Sequence, residues 1–274
     1  MARGPRKHLK RLAAPKSWML SKTGGIFATN PNCGPHRKRE SIPLALLLKK
    51  LNLAATRKEE DYILSKKMIK VNGRVRSERK YPVGLFDVLT IQPTNTSYRL
   101  LYNITKRFYL HKIDEKEANV RLCKVRSKKV VNGVPYVFTE DGMCYRFLSP
   151  NIDKKDTLKI DVNSNKVIDS IKFSSGKLAM VTRGNNMGCV GVIVKIETHE
   201  IGTDLVYLKD KVGRNFATRG SNVFVVGTTK DTWISLPHGL GVKTSEYEKS
   251  VAQFGAIVEE KPKEEEKVPI APVG

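Results

Sequence analysis

Cys33 and His36 stand in a C-x-x-H arrangement, a spacing that lets one short loop offer a thiolate and an imidazole to the same metal ion. A closed zinc site needs four ligands, and no second pair of suitable spacing exists further along, so neither a metal nor a cofactor is expected. Other catalytic patterns are missing too. The chain holds no G-x-x-x-x-G-K-[ST] loop, no G-x-S-x-G elbow, no H-E-x-x-H pair and no H-x-E with P-C-x-x-C. The 5 histidines (His8, His36, His111, His199 and His238) have no plausible nucleophile beside them in sequence. Neither an enzyme nor a small-molecule substrate is expected. The 4 cysteines (Cys33, Cys123, Cys144 and Cys189) form no C-x-x-C pair, which suits unpaired thiols in a reducing compartment.

What the chain has in excess is cation. Lys+Arg 50 against Asp+Glu 27 gives a formal net charge of +23 over 274 residues. A compact globule gains nothing from such a field, so a polyanionic partner is implied, nucleic acid before an acidic membrane surface. No run approaches about 18 apolar residues, the N-terminal MARGPRKHLK has no apolar signal core, and Ala2 excludes the myristoylation signal. No membrane role is expected.

The charge is concentrated. VNGRVRSERKYP, Val71 to Pro82, puts Arg74, Arg76, Arg79 and Lys80 just after Asn72-Gly73, the strongest short hairpin signal. Residues 1–40 carry Arg3, Arg6, Lys7, Lys10, Arg11, Lys16, Lys22, Arg37, Lys38 and Arg39 against one acid, Glu40. Pro and Gly interrupt any helical period, so this segment cannot build its own core. It reads either as a disordered solubilising arm or as a basic extension ordered along phosphates, with Trp18, Phe27 and His8 available for stacking or anchoring. The single charge sign favours the extension.

Holding these groups in place falls first to a pair of helices and a hairpin. Ser41 caps and Pro43 is tolerated at the start of a helix whose Leu44, Leu47, Leu48 and Leu51 repeat at i, i+3, i+4, i+7. Thr56 to Glu59 has capping-box spacing, with Tyr62, Ile63 and Leu64 as apolar contacts and Lys66-Lys67 closing the second helix. Ile69, Val71 and Val75 then alternate around the Asn-Gly turn, and Pro82 to Asp87 turns into the strand Val88 to Ile91. This is a small α/β unit. Its rim would carry Lys49, Lys50, Arg57, Lys58, Lys66, Lys67, Lys70, Arg74, Arg76, Arg79 and Lys80.

From Tyr98 onward short β-rich runs recur to Phe173, with turns at Asn132-Gly133, Asp141-Gly142 and Asn163 to Asn165, which means a small barrel or sandwich. Residues 176–226 count as a five-stranded barrel in which Gly184 and Gly188 bracket a loop bearing Arg183, Asn185 and Asn186. A plain β-turn and a binding loop are equally open readings of it. A helical run spans Thr244 to Phe254, and the tail KPKEEEKVPIAPVG is expected to be disordered.

The fold class is therefore α+β and multidomain. MARGPRKHLKRLAAPKSWML, MIKVNGRVR, RLLY, LCKVR, IKF, GVIV, NFATR and WISLP, in this order from about residue 2 to 245, resemble the S4e family of the archaeal and eukaryotic small ribosomal subunit, in its eukaryotic form. The resemblance implies a basic N-terminal extension over 1–40, an S-four-type RNA-binding domain over 41–97 and a central β domain over 98–173. It then implies a KOW-type SH3-like barrel over 174–226, a C-terminal segment over 227–260 and a tail over 261–274. By position, the RNA surface falls on the arm, the helix pair and Lys66 to Tyr81, Asn72 included, and the KOW loop on Thr182 to Gly188. Arg183 stands where the family usually has a small residue, and the Glu-rich tail departs from the basic end of animal members. The implied function is a structural constituent of the small subunit that binds ribosomal RNA and neighbouring proteins, in the cytoplasmic ribosome, with assembly in the nucleolus. Two rivals are an S-four-domain RNA-modifying enzyme and a KOW-bearing factor that cycles on and off its machinery.

Overall fold

The computed structural model describes residues 8–199, 202–229, 231–237 and 241–255. They form two units, 1–242 and 243–274.

In the first unit the arm opens with β1 (Leu9–Lys10) and β2 (Phe27–Ala28), an antiparallel pair. β3 (Ser41–Pro43) comes next and runs straight into α1 (Leu44–Lys50). Ser41 is thus a strand residue, and Pro43, extended at φ −66° and ψ 142°, starts the helix in its place. The leucine period does what the spacing requires: Leu44, Leu47 and Leu48 are fully buried, each contributing about 1.5–3 kcal/mol of transfer free energy. The helix stops because Asn52 takes φ 56°, so that Leu53 N–H reaches the Leu48 carbonyl at 3.1 Å and Asn52 N–H that of Lys49 at 3.0 Å. α2 (Arg57–Ser65) begins with the expected capping box between Thr56 and Glu59. Of its three apolar side chains only Leu64 is fully buried, and Tyr62 faces solvent. Lys67, at φ 58°, ends α2 in the same left-handed fashion.

β4 (Ile69–Val71) and β5 (Arg74–Val75) flank the Asn72-Gly73 turn, whose φ of 49° and 73° are those a type I′ turn demands. β6 (Pro82–Gly84) pairs with β3, while β7 (Val88–Ile91), β8 (Thr96–Tyr102) and β9 (Phe108–Ile113) complete an antiparallel sheet of order β5-β4-β7-β8-β9. The division expected between 97 and 98 therefore falls inside β8. Pairing through β7 and β4 ties β8 and β9 to the hairpin and its helices rather than to the strands of the central β domain.

A short α3 (Glu115–Ala118) leads to β10 (Val120–Val131), β11 (Val134–Thr139), β12 (Cys144–Arg146), β13 (Thr157–Asp161) and β14 (Val167–Ile171). They form a sheet of order β12-β11-β10-β13-β14. The long β10 serves two ladders, its first half paired with β13 and its second half, past a register shift at Val125/Ser127, with β11. β15 (Lys177–Val181), β16 (Val190–Glu197), β17 (Leu205–Lys209), β18 (Asn215–Arg219) and β19 (Val223–Thr228) make a third antiparallel sheet, order β18-β17-β16-β15-β19.

One apolar cluster joins Leu9 and Trp18 of the arm to α1, α2 and the first sheet, and continues into Met180, Val190 and Phe224 of the third. The Phe86 and Phe224 rings meet at 4.4 Å. The arm residues described are therefore folded onto the body. In the second unit, α4 (Glu246–Phe254) carries a capping box between Ser245 and Glu248, within the helical run read from the sequence. The expected tail over 261–274 lies outside the described residues.

Candidate nucleic-acid interface

Some of the residues expected to meet RNA are held by the protein's own groups, and most of the cations are exposed. Glu60, fully buried in α2, holds Arg79 at 2.8 Å and Lys49 at 3.3 Å. Lys50 turns its ammonium to the Phe108 carbonyl at 2.5 Å, and burial lowers its pKa. Arg183 is ion-paired to Glu40 at 2.8 Å, and Lys106 donates to the exposed Asn185 side chain at 2.8 Å, so two side chains of the loop read either as a plain turn or as a binding loop already have protein partners. Asn186 is half-buried there.

Trp18 is a core residue. It is 3% exposed and its indole donates to the Ser41 carbonyl at 2.7 Å, which rules out a base-stacking role. Arg11 is also engaged at home, donating to the carbonyl and hydroxyl of Ser21.

The exposed set is Lys10, Lys16, Lys22, Arg37, Lys38 and Arg39 on the arm, Lys49 and Lys50 at the end of α1 despite their partners, Arg57, Lys58, Lys66 and Lys67 on and just after α2, and Arg74 and Lys80 around the hairpin. Arg57 lies a loose 3.8 Å from Asp61, and Lys66 stands 5.8 Å over the Tyr62 ring. Lys70 and Arg76 are half-buried, and the Arg76 guanidinium lies 4.5 Å over Tyr81, whose phenol pKa burial raises. Arg3, Arg6 and Lys7 lie outside the described residues.

Between these cations runs a buried network that sequence reasoning missed. Asp87, at the end of the Pro82–Asp87 turn, accepts from His36 at 2.9 Å, from the Asn72 amide at 2.7 Å and from Gly84 N–H at 2.8 Å. Asn72 accepts from Val88 N–H at 2.9 Å, so its side chain braces the hairpin. Arg121 of β10 bridges Asp87 at 3.7 Å and Asp141 at 2.7 Å, and the Cys123 thiol donates to Asp141 at 2.8 Å.

Burial alone would raise the Asp87 pKa, but His36, Arg121 and Asn72 together hold it below the usual carboxylate range. His36 is the converse case: burial would lower its pKa, and Asp87 with Asp141 raises it. Cys123 is pushed well up by burial and by Asp141, which leaves an inert thiol. The Cys33-x-x-His36 pair is thus resolved, since Asp87 occupies the imidazole while Cys33 faces solvent.

Two further buried cations serve as ties. Arg99 of β8 donates to the Glu117 and Val120 carbonyls at 3.0 Å each and sits 3.3 Å from the Glu117 carboxylate; burial lowers its pKa to about 10, leaving it charged at neutral pH. Lys124 of β10 donates to the Ser221 and Val223 carbonyls at 2.8 and 2.7 Å and joins the second sheet to the third. Both lie in apolar strand contexts, RLL and CKV, where a cation amid core-forming residues is the signal that could have found them.

Known proteins match the chain over most of its length. The family model described as Ribosomal family S4e matches residues 94–167, the RS4NT (NUC023) domain matches 3–39, and the 40S ribosomal protein S4 C-terminus matches 210–253. Small ribosomal subunit protein eS4 of Lysiphlebus testaceipes is 46% identical over 261 residues, 93% of this chain and 100% of that one. The chain belongs to the S4e family. The eS4 protein of Candida albicans is 48% identical, covering 89% of this chain and 95% of its own. Among solved structures, the crystal structure of the 30S ribosomal protein S4e from Thermoplasma acidophilum superposes with a TM-score of 0.62 at 30% identity, covering 71% of this chain and 99% of that one. These S4e relatives carry the names of ribosomal proteins, not of enzymes.

Proposed function

We propose that this S4e protein is a non-catalytic constituent of the small ribosomal subunit that binds and stabilises ribosomal RNA, held by phosphate contacts along its arm, α2 and the β4–β5 hairpin. It works in the cytoplasmic ribosome beside neighbouring small-subunit proteins, and it is assembled in the nucleolus. In this reading residues 41–97, with β8 and β9 completing their sheet, act as the S-four-type RNA-binding domain, and 174–226 as a KOW-type SH3-like barrel.

One observation carries the proposal. Glu40, Glu60, Asp87, Glu117 and Asp141 are spent on internal ion pairs, while the cations of the arm, α2 and hairpin remain at the surface. A surface sorted in this way presents a strong cationic excess to a phosphate backbone, with Glu59, Asp61 and Glu78 the exposed acids among the cations of α2 and the hairpin region, and phosphate contacts position RNA without reading its sequence.

The test is incorporation. Reversing Arg79 would strip Glu60 of its partner, so the informative variant is Lys58→Glu with Lys66→Glu and Arg74→Glu, all exposed. It should keep its unfolding midpoint and lose most of its incorporation into small subunits. Incorporation at the wild-type level would reject this surface. A factor that cycles on and off would leave isolated subunits in a wash at about 0.5 M salt, whereas a protein held by many phosphate contacts is retained.

A further inference from the structure

Beside the exposed cations lies a groove of about 420 Å3 between the β1–β2 hairpin, the start of α2 and the chain leading to β6. His8, Phe27, Arg57, Arg79 and Lys80 line it, and among the described residues no carboxylate does. Phe27 is 59% exposed although it lies in a paired strand, and its ring meets His8 at 5.8 Å with the planes at 51°. The anchoring of the arm is done elsewhere, by Leu9 and Trp18 in the core, so Phe27 has no packing duty that would account for an apolar face held in water. Arg57 and Lys80 are exposed at the rim. Arg79 is fixed by Glu60, and its Nε has no hydrogen-bond partner among the described residues. The groove thus has an open aromatic face next to several cations on rigid elements.

We propose that this groove takes one unpaired nucleotide of a single-stranded RNA segment, with its base on the Phe27–His8 pair and its phosphates on Arg57 and Lys80. The inference rests on the RNA-binding reading above and makes it specific. A duplex keeps its bases stacked on one another and would offer this groove only phosphates, leaving the aromatic pair unused; an unpaired base has a free face to lay on a ring. An acidic peptide would likewise use the cations but not the rings.

The experiment uses the full chain and two probes: a short single-stranded RNA oligonucleotide carrying 2-aminopurine, and an RNA duplex. Phe27→Ala should weaken single-strand binding by roughly tenfold and abolish the quenching of the 2-aminopurine, while Phe27→Trp retains both and duplex affinity is unchanged. Arg57→Ala with Lys80→Ala should reduce the slope of log affinity against log salt for the single strand by about 1. Single-strand affinity and quenching untouched by Phe27→Ala would overturn the proposal and leave the general RNA reading intact. Displacement of the oligonucleotide by polyglutamate, at equal strength in wild type and Phe27→Ala, would assign the groove to acidic peptides and overturn it too. If the wild-type chain bound neither probe, both readings would fall together.

Discussion

His36 adds a titratable tie to an arm whose apolar anchors are Leu9 and Trp18. Its folded pKa is raised above the unfolded value near 6.5, so its contribution to stability is fully present below that value and is lost as pH rises through the folded one. Asp87, lowered, contributes above the carboxylate range and loses its share in acid. Stability should therefore fall as pH rises above about 6.5, and urea unfolding at a series of pH values from there upward should show the fall vanish in His36→Gln. The ring is also gripped sterically, since a Cβ on Gly84 would collide with it. Gly84→Ala should expel the ring and cost about 1–3 kcal/mol, visible as a lowered unfolding midpoint. Trp18→Phe removes a buried donor and part of a packed ring, so a loss of about 2–4 kcal/mol with RNA affinity unchanged is expected, whereas a stacking residue would show the reverse. None of these roles is legible from residue type. An exposed and a buried tryptophan in a basic arm read alike, because what separates them is a carbonyl 23 residues further along the chain.

At the scale of elements, the legible features are those written within a few residues. The α2 capping box, the α1 leucine period and both Asn-Gly turns, at Asn72 and Asn132, form as their spacing requires. Ser41 defeats local rules because a capping residue and the end of a strand look the same until pairing with β6 is known. Lys67 is informative for a different reason. A β-carbon in the left-handed region costs energy that glycine avoids, so Lys67→Gly should gain up to about 1 kcal/mol of stability while weakening RNA binding. Denaturant unfolding and a filter-binding isotherm on the same preparation measure the two effects. The link from the first sheet to β10 depends on Arg99. Arg99→Met leaves the Val120 carbonyl without this donor and the Glu117 carboxylate without its buried cation, and should cost about 3 kcal/mol by equilibrium unfolding.

Across the whole molecule, net charge is the most readable property and its distribution the least. Composition gives +23 but not which cations face inward, because Arg79, Arg99, Arg121, Lys124 and Arg183 are of the same residue types as the exposed ones. Only tertiary pairing separates the two sets, and two of those pairs, Arg121 with Asp87 and Arg183 with Glu40, cross the 97/98 division expected from the sequence.

The dependence of the arm on Asp87 and Asp141 also sets a schedule for synthesis. His36 leaves the translating machinery well before either acid, and its pairing with both cannot close until about a hundred further residues have been added, roughly 5–20 s at ordinary elongation rates. For that interval the His36 tie of a strongly cationic arm is unmade.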